Sequence, residues 1–483
     1  MRKGFAAAGV IALALGCAQE TPEQQVVNDA AAALGGRERV DAVRTIAIEG
    51  GGTLYNLGQD LRPDARGQTF SVTGLTRRMD LANARARTEL TRTPNFAYFQ
   101  GQAAQRQVQG IDGEVGYNIG ATGNATRIAA PAARDRRADF YHYPLTIVRA
   151  ALTPGTTLAN ARTQGDHRLV DVTTDNGLVF VLAVDSVGLP SRVESKSYHA
   201  NLGDVTLSTQ FADYVDVSGI KLPTRITTRV DDFTTGEIRM TSHTLDGDVG
   251  DLAAPPAAAS AAPSSGPPPA VVPELVAPGI WLLAGQSHHS ALIEMSDHLI
   301  LVDAPQNEAR TLAVITKARE LQPAKPLTKV ITTHHHFDHT AGIRAAIAEG
   351  LTVVTHSGNR EFFETVAERP HSIVTDALAK NPTPVRIETV DDELTLKDAA
   401  RTVALYHMAG NPHSDTMLMV HLPGDGILVQ VDAFSPNAAV NPYAANLLDN
   451  ITKRKLRVDR IVPLHGAIAP FADLVKLQAR QTS

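Results

Sequence analysis

From residue 177 to 232 the chain alternates apolar and polar positions at a spacing of two. GLVFVLAV (177–184), LPSRVESKSYH (189–199), DVTLSTQFADYVDV (204–217) and KLPTRITTRVDD (221–232) are rich in Val, Thr, Ile and Tyr. This pattern predicts strands with one buried face each. Asp175-Asn176-Gly177, Ser218-Gly219 and Gly236 read as the turns that separate them. Helical spacing of apolar residues predicts two earlier helices, one over Pro22–Leu34 that ends at Gly35-Gly36, and one over residues 138–152. Successive strands with short turns predict a mostly antiparallel β (α+β) domain over residues 18–252.

The pattern changes further on. ALIEMSDHLILVDAP (291–305) reads as a hairpin of buried strands and NEARTLAVITKARELQ (307–322) as an amphipathic helix. LTKVITT (327–333) is a strand, TAGIRAAIAEG a short helix, and LTVVTH another strand. RTVALYHM (401–408), TMLMVHL (416–422), GILVQVD (426–432) and DRIVPLH (459–465) follow as strands, with helices around 442–453 and 470–479. Alternation of this kind predicts a layered α/β domain over residues 273–483. Between the two textures lies AAPPAAASAAPSSGPPPA (253–270), which cannot build a core. Its repeated prolines favour an extended, semi-rigid spacer, and residues 253–272 are read as an interdomain linker.

Length and composition agree with this division. A chain of 483 residues exceeds the usual size of one domain. With 45 basic and 51 acidic residues the net charge is −6, which leaves no electrostatic footprint for nucleic acid. The single cysteine, Cys17, excludes a disulfide within the chain and any cysteine-rich zinc site. It closes the stretch MRKGFAAAGVIALALGC, a basic start and a short apolar run with the form of a secretory signal. Ala14-Leu15-Gly16-Cys17 resembles the lipobox of bacterial lipoproteins, with Ala14 where leucine is commoner. The resemblance implies a signal peptide over residues 1–17 and lipidation of Cys17. With Ala18 next, it also implies a lipid anchor in the outer membrane, facing the periplasm.

The densest chemistry is ITTHHHFDHTAG, residues 331–342. Alternation along the strand puts His334 and His336 on one side with His335 facing away. Asp338 and His339 then fall at the turn into a helix. Imidazole and carboxylate are common ligands of zinc and similar divalent ions. Alone, the segment is also readable as a solvated polar turn. Three more donors, His413, Asp432 and His465, lie at or just after the C-terminal ends of predicted strands, where layered α/β domains place their sites.

Asp303 in LILVDAP, the His334-x-His336-x-Asp338-His339 run, His413, Asp432 and His465 together resemble the motifs of the metallo-β-lactamase superfamily, over roughly residues 275–475. The resemblance implies an αββα sandwich holding two divalent metal ions. It assigns His334, His336 and His413 to one ion, Asp338, His339 and His465 to the other, and Asp432 to a bridge between them. Asp303 would orient a ligand from behind. Gly410 is separated from His413 by Asn411-Pro412, a departure from the commonest spacing that predicts a variant loop. With nitrogen and oxygen donors only, zinc is the default ion and iron or manganese the alternatives.

Such a site implies a hydrolase in which hydroxide held between the ions attacks an ester, lactone, thioester, amide or related bond of a small molecule, with Asp338 also orienting the nucleophile. Substrate contacts are expected from His288 and His289 in GQSHHSAL and from Phe434, Asn437 and Tyr443 after Asp432. Two other readings stay open. One is a lipid- or partner-binding envelope lipoprotein with an accessory metal domain, since the N-terminal half weakly resembles the curled half-barrel of bacterial lipoprotein carriers. The other is an iron-dependent sulfur dioxygenase. His142, His167, His199 and His243 are scattered and read as surface or satisfied core histidines. Nothing in the sequence ties the two halves together or sets an oligomeric state.

Overall fold

The computed structural model describes residues 20–98, 101, 103–266 and 268–481. The signal segment with Cys17 lies outside the described residues. Thr21 opens the first helix, Pro22–Leu34, with a capping box: its side chain accepts from the Gln24 backbone and the Gln24 side chain accepts in return. Gly35 at φ +136° ends the helix.

The N-terminal domain is one thirteen-stranded antiparallel sheet. From Thr45–Tyr55 the strands meander to one edge at Ala125–Arg127. The chain then crosses through helices, restarts at the opposite edge with Thr157–Gln164, and meanders back until Phe233–Leu245 pairs with Thr45–Tyr55. Apolar residues of one face, among them Ile46, Ile48, Val172 and Leu182, pack on Leu34, Leu145 and Ile147 of the helices.

Three local expectations need correction. Residues 138–152 are not one helix. Ala130–Tyr141 ends before His142, and a second helix, Pro144–Leu152, begins at a proline. Pro144 has no N–H for a continuing helix and forces Tyr143 into extended backbone (φ −146°, ψ 139°). Gly236 lies inside the strand Phe233–Leu245, close to a register shift, where a Cβ would meet Thr228 Oγ1 at 2.7 Å. The linker is not extended throughout. Pro256–Ser260 forms a helical turn with Ala258 buried, as an alanine run behind a proline favours.

After the linker two sheets stack. The first holds seven strands, from Val272–Ala277 to Ile387–Val390; the second holds six, from Glu393–Lys397 to Ala469–Pro470. Alternation on Leu299–Val302 shows how the layers form. Ile300 and Val302 point between the sheets toward Val403, Leu405 and Val420. Leu299 and Leu301 point the other way, against Val314, Ile347 and Phe363 of the outer helices. Helices Ala444–Lys453 and Phe471–Gln481 cover the second sheet through Leu447 and Leu474, completing an αββα sandwich.

The halves meet along a polar seam. Asp204 accepts from the backbone N–H of Ser372 at 2.8 Å and of Ile373 at 3.0 Å. Arg369 donates to Leu202 O and to the Asp231 carboxylate. Gly203 (φ +66°) lets the chains approach closely, since a Cβ there would lie 2.2 Å from Pro370 O.

Candidate metal centre

The centre is built where strand Leu327–Ile331 ends. Asp303, at φ +63° just after Leu299–Val302, is fully buried and fastens the next turn. Its Oδ1 accepts from Thr333 N at 2.8 Å and its Oδ2 from Thr333 Oγ1 at 2.9 Å. Oδ2 also lies 3.1 Å from His339 Nδ1, so that Nδ1 donates and Nε2 is turned to the centre. Asp338 and His339 lie within a helical turn, Phe337–Thr340, rather than ahead of a helix; the predicted helix begins only at Ile343.

His334, His336 and His413 offer one nitrogen each within 4.8 Å of one another, and all three are buried. Nε2 of His334 and Nδ1 of His336 have no hydrogen-bond partner. His335 turns aside, toward Thr416 Oγ1 at 3.3 Å. The variant loop before His413 is closed by Asn411, whose Oδ1 accepts from His413 N at 2.8 Å.

Asp432, another left-handed residue at φ +55°, projects its carboxylate into the middle. Oδ2 lies 3.4 Å from Nε2 of both His334 and His413 and 3.1 Å from His339 Nε2, and Oδ1 lies 3.2 Å from His465 Nε2. His465 Nδ1 donates to Ser287 O at 2.8 Å, which leaves its Nε2 facing His339 Nε2 at 2.9 Å. These two imidazole nitrogens, each with its other nitrogen already committed as a donor, face each other across one shared proton or one shared cation. With the unpartnered nitrogens of His334 and His336, this makes the donor set fit divalent ions.

Electrostatics follows from the crowding. Burial, then the neighbouring imidazoles, pushes His334 and His336 far below the usual histidine range, into the neutral form a metal requires. Burial opposes ionisation of Asp432, but His465, His339 and His413 outweigh it and hold the carboxyl well below its usual range. Burial alone would push His339 down; Asp338, Asp432 and the bond to Asp303 hold it well above.

Of the expected substrate contacts, His288 and Tyr443 line the cavity over these groups, which measures about 510 Å³. His288 Nε2 lies 3.0 Å from Asp338 Oδ2. His289 instead accepts from Gly285 N at 3.2 Å, Phe434 is buried in the core, and Asn437 is exposed; none of these three lines the cavity.

The unanticipated part comes from the N-terminal domain. Residues 56–68 join two strands of its sheet and lie against the centre. Gly58 O accepts from Phe337 N at 3.2 Å, Asp60 O from His336 Nε2 at 2.8 Å, and Leu61 O from Asp415 N at 2.8 Å. Gln59 Nε2 donates to Asp338 Oδ1 at 2.7 Å. Gly58 (φ +77°) allows the approach, because a Cβ would lie 2.2 Å from the Phe337 ring. Burial pushes the Asp60 carboxyl up to about 7. Asn56, Gln68, Phe96, Ala97 and Tyr98 add one wall of the cavity. The sequence signal for this loop was its length, long for a hairpin connection.

Residues 284–465 match the family model described as the metallo-beta-lactamase superfamily. Solved structures similar to the chain include FIM-1 from Pseudomonas aeruginosa in its mono-zinc form, with 18% identity and a TM-score of 0.35, covering 44% of this chain and 96% of that one. A metallo-beta-lactamase from Hirschia baltica (18%, TM-score 0.34) covers 44% and 97%, and one from Pontibacter korlensis (16%, TM-score 0.33) covers 44% and 100%. The C-terminal domain, over residues 284–465, therefore belongs to the metallo-beta-lactamase superfamily.

Proposed function

We propose that this protein is a hydrolase holding two divalent ions, zinc by default, and cleaving an ester, lactone, thioester, amide or related bond of a small molecule. The observation that carries the reading is the convergence of His334, His336, His413, Asp338, His339, His465 and Asp432, with lone pairs aimed inward, at the floor of an open cavity. Bound there, the ions would supply hydroxide at neutral pH, by lowering the pKa of a water from 15.7 to about 7, and Lewis acidity at the oxygen of the scissile bond.

The chain's own groups do the rest. His334, His336 and His413 form one pocket, of three nitrogens, and Asp338, His339 and His465 form the other, of one carboxylate oxygen and two nitrogens. Asp432 stands between them as the shared carboxylate. Asp338 is held from two sides, by Gln59 on Oδ1 and His288 on Oδ2, so its oxygens keep a fixed direction toward the attacking oxygen. Burial pushes His288 below its ordinary range, against its bond to Asp338, and leaves it neutral with Ser287 Oγ 2.8 Å from Nδ1. With Nδ1 accepting from Ser287 Oγ, its Nε2–H donates to Asp338 and holds that carboxylate in place. The lipobox-like segment ending at Cys17 supports a lipid-anchored envelope location.

The test is metal analysis of the purified protein followed by a hydrolysis panel of β-lactams, acyl-lactones, thioesters, phosphodiesters and sulfate esters. Turnover of at least one class is expected, and its loss with His336→Ala and Asp338→Ala. Undiminished hydrolysis in either variant would refute the mechanism.

A further inference from the structure

The cavity over the metal centre has two chemically different halves. Its floor is the ligand set of the C-terminal domain. Its opposite wall belongs to the N-terminal sheet and is apolar and aromatic at Phe96, Ala97 and Tyr98, and neutral and polar at Asn56, Gln59 and Gln68. Phe96 packs edge-on against Phe70 at 5.2 Å and against Tyr98 at 5.5 Å, so the rings support one another. Tyr443 donates its hydroxyl to Ala97 O, which fastens this wall to the C-terminal domain.

Charge divides the candidate substrates. Among the described residues, the cavity lining includes no lysine or arginine, and residues 95–105 carry no charged side chain in the sequence. The nearby guanidinium of Arg92 sits behind the wall, 4.2 Å over the Phe70 ring, with Nε bonded to Gln105 Oε1 at 2.9 Å. Gln68 Oε1 is buried with no hydrogen-bond partner. It would welcome an N–H or O–H donor from an uncharged substrate. A cavity of about 510 Å³ admits a small molecule with one aromatic ring or short acyl chain.

We propose that the N-terminal sheet is the substrate-selecting half of this site, seating an uncharged apolar or aromatic group of the substrate against Phe96, Tyr98 and Tyr443. This rests on the hydrolase reading above, and it assigns the N-terminal domain a specificity role.

The test uses the full-length, metal-loaded protein and three 4-nitrophenyl esters: the phenylacetate, the acetate and the (4-carboxyphenyl)acetate. The phenylacetate is expected to have the highest kcat/KM. Phe96→Ala should cost it about tenfold, chiefly through KM, with a smaller loss on the acetate. Phe96→Leu, which keeps the wall apolar, should fall between. Metal content of the variants, by mass spectrometry, should equal that of the wild type. Preference for the carboxylated ester, or equal losses on both uncharged esters, overturns the proposal. A second arm measures calorimetric binding of 4-phenyl-2-butanone and its ring-carboxylated analogue. If no ester is cleaved but the uncharged ketone binds better and Phe96→Ala weakens it, the hydrolase reading fails and the selecting wall stands. If neither ketone binds, or the carboxylated one binds better, the wall proposal fails.

Discussion

The backbone carbonyl of Asp60 accepts a hydrogen bond from Nε2 of His336 at 2.8 Å, across 276 residues of sequence. The bond fixes the proton of His336 on Nε2 and leaves Nδ1 for the centre, so a loop of one domain sets the tautomer of a ligand in the other.

Because a carbonyl does this work, replacing the Asp60 side chain does not test it. Exchanging residues 57–66 for a short Gly-Ser turn removes the bonds to Phe337, His336 and Asp415 together with that of Gln59 to Asp338. Metal affinity should fall by about tenfold to a hundredfold, the usual cost of losing a partner behind a ligand. The far-UV circular dichroism should stay that of the wild type. Competition with a chromogenic chelator measures the affinity; an unchanged value would mean that the C-terminal domain orients His336 unaided.

Asp303 plays the corresponding part for His339, but through its side chain. Asp303→Asn keeps the shape and exchanges one acceptor oxygen for an amide donor, which then points at Thr333 or at His339 Nδ1. The expected result is a folded protein with metal affinity again about tenfold to a hundredfold lower. Asp303→Ala should also lose roughly 1–3 kcal/mol of stability in urea, because buried donors on Thr333 and His339 are left without an acceptor. Wild-type affinity in Asp303→Asn would show that the tautomer of His339 is set elsewhere.

The convergence of these donors was legible because apolar alternation locates strand ends, and strand ends locate side chains. Asp303, His413, Asp432 and His465 each follow a run that reads as a buried strand. The turns were less legible. Phe434 follows Asp432 closely and was expected to meet substrate, yet Gln430 Oε1 accepts its N–H at 3.2 Å and its ring is buried in the core; no periodicity reports which way a residue leaves a turn. The contacts of Gln59 and Asp60 were illegible for another reason. They are local in space and some 280 residues apart in sequence, and the polar loop that carries them has the composition of any surface hairpin.

In the N-terminal core, His142 is buried between Thr209 Oγ1 at 3.0 Å and Ser195 Oγ at 2.9 Å, and burial pushes its pKa down to about 4. The unfolded value is the ordinary 6.5. Above 6.5 the ring is neutral in both states and the full stability is present. As the pH falls from 6.5 through 4 the unfolded state binds the extra proton, and about 3 kcal/mol is lost. Urea melts of wild type and His142→Gln across that window should diverge: the variant starts less stable and loses less on acidification. Parallel curves would mean that His142 takes up its proton at the same pH in the folded and unfolded states.

Metal uptake should itself be linked to protons, and His339 supplies the sign. Without an ion, Asp338 and Asp432 hold the buried His339 well above the ordinary histidine range, which favours a proton on both ring nitrogens. Nδ1–H is held by Asp303, and a proton on Nε2, between Asp432 Oδ2 at 3.1 Å and His465 Nε2 at 2.9 Å, occupies the position an ion would take. An incoming divalent ion must displace it. Affinity should therefore rise with pH through the neutral range, by about tenfold per unit while one proton is released. Calorimetric titration of zinc in phosphate and in Tris, whose ionisation heats differ, counts that proton directly. Release of about one proton near pH 7 is expected for the wild type, and less for His339→Ala. Equal release in the two proteins would place the displaced proton on a group other than His339.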